Sequence, residues 1–284
     1  MKPSSGAAQA GGAAAAGQGA TQADGAAVRS VVITGASRGL GAALAEALAG
    51  PGVALHLLGR DAAALEAVAA RCRARGAAVW LAAVDVTDAA AMAAVLRDWD
   101  QARPVGLAIA NAGVSAGTGP DGAPEGHDAA LRQVRVNLEG ALNLVEPLLP
   151  GMLSRRQGQL LLVGSMMGFR GLPDVPAYAA SKAGVWAYGE ALRAAHRAAG
   201  LRVTVAAPGF FASAMSARVR GARAGGEVSA EAMAARLLRA VARGRGRVVS
   251  PWWLGAGLRA LALLPPGLGD RLARLVRFRV EPGG

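Results

Sequence analysis

The chain has a single cysteine, Cys72, in 284 residues, so it can close no internal disulfide. A reducing cytoplasm is then the default compartment. No run of about 18 uninterrupted apolar residues occurs, which excludes a spanning helix. Lysine is confined to Lys2 and Lys182, and tyrosine to Tyr178 and Tyr188. The histidines (His56, His127, His196) match no metal or triad spacing, so no metal is expected and all three read as structural or exposed. Arg71 and Arg73 flank Cys72, and such charge can lower a thiol pKa; the plainer reading is an incidental cysteine on a helix. Acids are scarce only in the last third. Residues 201–284 carry 14 arginines against 4 acids, whereas residues 1–200 are nearly balanced. That asymmetry points to an anionic surface or ligand.

What is present organises itself in three parts. Residues 1–27 are almost wholly Ala, Gly, Gln, Ser and Thr, without a secretory or transit pattern, and read as a disordered tail. Residues 28–250 alternate short apolar runs with helical patterns, the signature of βαβ repetition and a parallel sheet. The strands are expected at 31–34, 53–58, 79–84, 107–110, 160–163, 203–206 and 247–249, with one long helix over 127–152. The fold class is therefore α/β, a single doubly wound Rossmann-type domain with a mainly seven-stranded parallel sheet. Its ligand belongs at the carboxyl ends of the strands. Residues 251–284 form a basic amphipathic extension.

Thr34-Gly35-Ala36-Ser37-Arg38-Gly39-Leu40-Gly41 lies between the first strand and first helix. Glycines there permit a tight turn and let backbone N–H groups reach a pyrophosphate at the helix N-terminus. An acid that would read a ribose diol is missing from the tip of the second strand, which reads Leu58-Gly59-Arg60. Arg60 and Arg38, with Ser37, can instead hold a 2′-phosphate, so NADP(H) is favoured over NAD(H). Asp61 is better placed as a helix cap.

Tyr178 and Lys182 stand at i and i+4 of a helix, on one face. Ser165 ends the preceding strand, and Asn137 lies in the helix before that. Carbonyl reduction delivers hydride to carbon while a proton reaches the developing alkoxide. A phenol donates that proton well only when nearby positive charge stabilises its phenolate, and Lys182 with an oxidised nicotinamide can supply it. Ser165 can bond the substrate oxygen, and Asn137 can hold a water linking Lys182 to solvent.

With these residues the chain resembles the short-chain dehydrogenase/reductase family over about residues 28 to 250. The Thr34–Gly41 motif, Asp85-Val86, Asn111-Ala112-Gly113, Asn137, Ser165, Tyr178, Lys182 and Pro208-Gly209 occur in the family's order and spacing. The resemblance implies that Asp85 and Val86 contact the adenine and that Asn111 braces the sheet beside the ribose. It implies that Lys182 also holds the nicotinamide ribose, and that Ser213 replaces a common threonine that bonds the carboxamide. Gly35, Ser37, Arg38, Gly39, Leu40, Gly41 and Arg60 would complete the cofactor site. A homodimer or homotetramer pairing through the helices of Asn137 and Tyr178 is likewise implied.

The specificity loops offer Met166, Met167, Phe169, Leu172, Phe210, Phe211 and Met215, which suits an apolar, lipid-like substrate, although such residues are also routine core. Beyond them come Trp252-Trp253 and a helix-like run from Asp270 to Val280, with Arg271, Arg274, Arg277 and Arg279 among apolar residues. Residues 252–280 can form a lid or subunit contact, or lie on an anionic membrane. Nucleic acid is disfavoured for want of a reader motif. The sequence thus describes an NADPH-dependent oxidoreductase interconverting a carbonyl and a secondary alcohol. A 3-oxoacyl-thioester reductase is the nearer rival, and a non-catalytic NADP(H)-binding scaffold or sensor the more distant one.

Overall fold

Seven short apolar runs pair side by side into one parallel sheet in the order β3-β2-β1-β4-β5-β6-β8. The structure is a computed structural model describing residues 30–118, 122–217, 219–221, 227–275 and 278–280. The tail expected over 1–27 lies outside the described residues.

The first half of the sheet comprises β1 (Ser30–Thr34), β2 (Ala54–Gly59), β3 (Ala78–Ala83) and β4 (Leu107–Ala110). Between them run α1 (Gly39–Leu48), α2 (Ala62–Arg73) and α3 (Ala89–Ala102). The second half adds α4 (His127–Val134), α5 (Gly140–Ser154), β5 (Gly158–Val163), α6 (Pro176–His196) and β6 (Leu201–Pro208). After α7 (Ala214–Ala217) and β7 (Val219–Gly221) come α8 (Ala230–Ala242) and β8 (Arg247–Ser250). The chain continues through α9 (Trp252–Ala262), α10 (Pro266–Ala273) and β9 (Phe278–Val280).

Strands β1, β2, β4 and β5 are buried along their whole length, because helices cover both faces. Residues of α1, α2 and α8 pack with the sheet on one side, and residues of α3, α5 and α6 on the other. Helix starts follow side-chain caps: Asp61 accepts from Ala64 N, Asp88 from Ala91 N and Ser229 from Ala232 N. Helix α1 starts differently, with no side-chain cap on its first N–H groups. Strand order reverses between β1 and β4, which opens a crevice above their carboxyl ends.

Two expectations need correction. The single helix over 127–152 is interrupted at Arg135–Glu139 by a π turn that carries Asn137. The Asn137 side chain bonds Val114 and Ser181 there, and Gly140 packs so tightly on Val86 that a Cβ would sit 2.7 Å from it. The helix expected over Asp270–Val280 ends at Ala273; Phe278–Val280 is instead a strand, antiparallel to Val219–Gly221. Phe278 and Val280 alternate with arginines at period two, which suits a strand, and β7 supplies backbone partners. Val276 and Arg277 lie outside the described residues.

His56 is buried on β2 between Trp80 (5.1 Å) and Trp99 (4.7 Å), and among the described residues neither ring nitrogen has a hydrogen-bond partner. Burial, with Arg103 adding to it, lowers its pKa to about 4. The unfolded chain therefore takes up this proton near pH 6.5 and the folded chain only near 4. Stability from neutral His56 is complete above pH 6.5 and is lost as pH falls to 4. The loss expected over that window is about 3 kcal/mol. Urea unfolding of the parent and of His56→Leu across pH 4 to 7 should show a flatter dependence in the variant; parallel curves would refute the assignment. Cys72 is also buried, and burial with Glu46 raises its pKa against Arg75, Arg71 and Arg73. The flanking arginines do not make it a reactive thiol.

Candidate active site

The turn from β1 into α1 is built for close approach. Gly35 has φ +67°, and a Cβ there would lie 2.8 Å from Ala112 Cα. Gly41 is helical, but a Cβ would meet the Gly35 carbonyl oxygen at 2.1 Å. Asn111 holds this turn from the next strand: its Nδ2 donates to Thr34 O (3.1 Å) and Gly35 O (3.3 Å). The Thr34 hydroxyl accepts from the N–H groups of Asn111 and Ala112 at 3.1 and 3.2 Å. The result is an uncapped helix N-terminus behind a glycine turn, which fits a dinucleotide pyrophosphate. Leu40 is buried, so it offers a cofactor only its main chain.

Ala36 N donates to Leu58 O (3.1 Å), tying the turn to the end of β2. Arg38 and Arg60, each two residues further on, are thereby brought to the same rim, both exposed, with Ser37 half-buried between the turn and α1. The Arg38 side chain makes no hydrogen bond or ion pair among the described residues, a charge available to a phosphate. Arg60 faces Asp85 across 3.7 Å. Burial alone would raise the Asp85 carboxyl, but the N–H and hydroxyl of Thr87, with Arg60 beyond them, hold it below its ordinary value. Asp85 is thus an ionised turn residue at the rim. The Val86 side chain is buried against Gly140, so only its main chain remains for a base.

Ser165, Tyr178 and Lys182 converge on one cleft at the carboxyl ends of β4, β5 and β6. Lys182 is buried, and Nζ donates to Val163 O at 2.9 Å while lying 5.8 Å from the Tyr178 ring centre. Burial lowers its pKa to about 8. Burial pushes the Tyr178 phenol above its ordinary value, and the Ser165 hydroxyl bonded to it pulls the other way. Burial outweighs that bond, so the phenol stays above its ordinary value. Ser165 also accepts from Met167 N (3.2 Å), which turns the loop after β5.

Asn137 does not touch Lys182 directly. Oδ1 accepts from Val114 N (2.8 Å), and Nδ2 donates to Val114 O (3.0 Å) and Ser181 Oγ (2.9 Å). Both amide hydrogens are spent, leaving a lone pair of Oδ1 for a water. A Cβ on Gly113 would sit 3.3 Å from Oδ1 and 3.4 Å from Lys182 Nζ, so that glycine lets the two come close. Sequence reasoning missed two parts of this arrangement. Ser181 donates to Tyr178 O (2.8 Å) and so joins Asn137 to the tyrosine's own backbone. The Val163 carbonyl anchors Lys182, and a main-chain acceptor leaves no trace in residue types.

The third loop, after β6, brings Pro208, Gly209, Phe210, Phe211 and Ser213 to the cleft. Ser213 Oγ accepts from Ser216 N (3.0 Å), and its Cβ lies 3.9 Å from where a Gly39 Cβ would stand. This loop therefore reaches over the glycine turn. Met166, Met167, Val175 and Leu254 complete an apolar wall. Leu254 comes from α9, within the 252–280 segment for which a lid is one of the readings. Two expected lining residues lie elsewhere. Phe169 packs edge-on to Trp186 (4.7 Å) under Arg259, and Leu172 lines a separate cavity of about 550 Å³ between α6 and α10. The Met215 side chain lies outside the described residues.

In sequence and in fold the chain is similar to known proteins. The family model for short chain dehydrogenase matches residues 29–224. An uncharacterized oxidoreductase of Myxococcus xanthus (strain DK1622) is 35% identical over 250 residues, 88% of this chain and 98% of its own length. Among solved structures, a short-chain dehydrogenase from Sphingobium yanoikuyae in complex with NADPH superposes with a TM-score of 0.72 at 26% identity. It covers 87% of this chain and 96% of its own. A 3-oxoacyl (acyl-carrier-protein) reductase from Agrobacterium tumefaciens C58, with NADP bound, gives a TM-score of 0.69 at 25% identity. The coverage there is 78% of this chain and 92% of its own.

Proposed function

Because this chain belongs to the short-chain dehydrogenase/reductase family, we propose that it interconverts a carbonyl and a secondary alcohol on an apolar substrate, with NADP(H) as cofactor and Tyr178 as general acid and base. It is an oxidoreductase acting on CH–OH groups with a nicotinamide cofactor. The observation that carries the finer reading is the convergence of Ser165, Tyr178 and Lys182 on a cleft lined also by Asn111 and Ser213, the two residues that adjoin the glycine cradle.

A nicotinamide held at this cradle would supply or accept the hydride. Tyr178, protonated at neutral pH, gives its proton to the substrate oxygen in reduction and takes it back in oxidation. Ser165 donates to the same oxygen and holds it beside the phenol. Lys182, fixed by Val163 O, keeps a positive charge near the ring and offers Nζ to the ribose. Asn137, with Ser181, fixes the loop from Gly113 to Val114 against α6 and presents a lone pair to a relay water. Met166, Met167, Phe210, Phe211 and Leu254 exclude solvent from an apolar substrate.

Arg38 and Arg60 support NADP(H) over NAD(H), and the NADPH- and NADP-bound neighbours agree with that preference. Each charge-assisted contact to a phosphate is worth about 1.5–3 kcal/mol. Arg38→Ala and Arg60→Ala should each raise the KM for NADPH about tenfold or more, leaving that for NADH nearly unchanged. Equal effects on the two cofactors, measured by steady-state kinetics, would overturn the assignment. Likeness to a 3-oxoacyl reductase favours a second reading, reduction of an acyl thioester, which a panel of thioesters and free ketones separates. The family relation supports a homodimer or homotetramer paired through the helical segments that carry Asn137 and Tyr178.

A further inference from the structure

Helix α9 is apolar on both sides: Leu258 is buried, Leu254 and Leu261 pack against the core, and the outer face is apolar as well. Its only charged residue, Arg259, lies against the protein, with the guanidinium 3.7 Å from the Phe169 ring centre and 5.0 Å from that of Trp186. Its exposed positions are Trp252, Trp253, Ala256, Gly257, Ala260, Ala262 and, at the C-cap, Leu263, without a polar side chain among them. Trp252 is 74% exposed and Leu263 86%. Helix α10 extends this surface with Leu268 and, just past its end, Leu275, and places exposed Arg271 and Arg274 beside them. So large an apolar face on a folded chain marks a contact surface.

We infer that this face docks on an anionic lipid bilayer, with the tryptophans and leucines in the headgroup–acyl boundary and Arg271 and Arg274 against anionic headgroups. Charge decides the occupant. A second copy seated isologously would bring the same arginines of both chains to one interface. Asp270, the acid that precedes Arg271, is already paired with Arg170. A bilayer bearing negative headgroups meets the apolar face and the cationic edge together. Tryptophan also suits that boundary, since its ring is apolar and its N–H can remain wet. Ala273 and Arg274 line the cavity of about 550 Å³ beside α10, and Met167 lines both that cavity and the catalytic cleft. The docked face is therefore next to a space that abuts the reacting groups. That last link rests on the apolar-substrate reading; the docking does not.

The test is sedimentation of the full chain, loaded with NADPH, with vesicles of phosphatidylcholine alone or mixed with phosphatidylglycerol. Binding should be at least about tenfold stronger to the mixed vesicles and weaken with salt. Trp252→Ser/Trp253→Ser/Leu263→Ser and Arg271→Glu/Arg274→Glu should each lose about tenfold or more, with NADPH affinity and thermal unfolding unchanged. Absence of vesicle binding, equal binding to both compositions, or binding retained by the triple variant would overturn the proposal. An oligomer that the triple variant dissociates, without vesicle binding by the parent, would assign the face to a second copy instead. Because the readout needs no turnover, failure here is distinguishable from failure of the catalytic reading.

Discussion

Tyr178→Phe should lower kcat by about 10²–10⁴-fold, the usual worth of a positioned proton donor, while leaving NADPH affinity nearly unchanged. The substitution removes one oxygen and keeps the ring in the cleft wall. Lys182 holds its place without the phenol, because Nζ is bonded to the Val163 carbonyl. Ser165 keeps its bond from Met167 N. What disappears is the proton that the substrate oxygen must receive as hydride arrives. Burial raises the phenol above its ordinary value, so at neutral pH the donor is fully loaded for reduction. Oxidation needs the phenolate and should therefore speed up as pH rises, in the parent and not in the variant. Steady-state rates with equilibrium NADPH titration separate this from a binding defect, and a variant with parental kcat would remove Tyr178 from the chemistry.

Gly41→Ala should cost the chain both its cofactor and part of its stability. The residue is helical, so the barrier is space and not backbone strain. The added carbon would stand 2.1 Å from the Gly35 carbonyl oxygen and 2.7 Å from Asn111 Nδ2. Asn111 bonds that same carbonyl, and its neighbours are tied to Thr34, so the turn has nowhere to yield without loosening β1 from β4. Overpacking of this kind costs about 1–3 kcal/mol. The loop N–H groups would also leave the positions a pyrophosphate requires, with an expected loss of NADPH affinity of about a hundredfold. Urea unfolding gives the first quantity and fluorescence titration the second. Parental affinity in the variant would show that the cradle is not where the cofactor binds.

The sequence made the sheet legible because strands covered on both faces become plain apolar runs, such as Ser30–Thr34 and Gly158–Val163. The candidate pair was legible through scarcity: with two lysines and two tyrosines in the chain, Tyr178 and Lys182 at i and i+4 stand out. Geometry made by the backbone was not legible. The π turn at Asn137 depends on Val114 and Ser181, residues distant in sequence, and the Lys182 anchor is a carbonyl. Residues 270–280 show why local pattern misleads near a boundary. Leu272 and Leu275 keep a helical period, but Phe278 and Val280 pair with a strand some 60 residues earlier. Phe169 sits in a loop near the cleft, yet Trp186 and Arg259 draw it away, and only the fold brings those three together.

The proton donor, its lysine and the cradle together amount to a claim about one transfer. The most direct test is to supply NADPH deuterated at the nicotinamide C4 position to the parent and to Tyr178→Phe, with a panel of apolar ketones, and to analyse the products. The account predicts deuterium on the carbinol carbon of the alcohol formed by the parent, and almost none with the variant. Tight NADPH binding with no deuterium transferred to any ketone or thioester would contradict it, and would make the chain a binder of the cofactor and not a user of it.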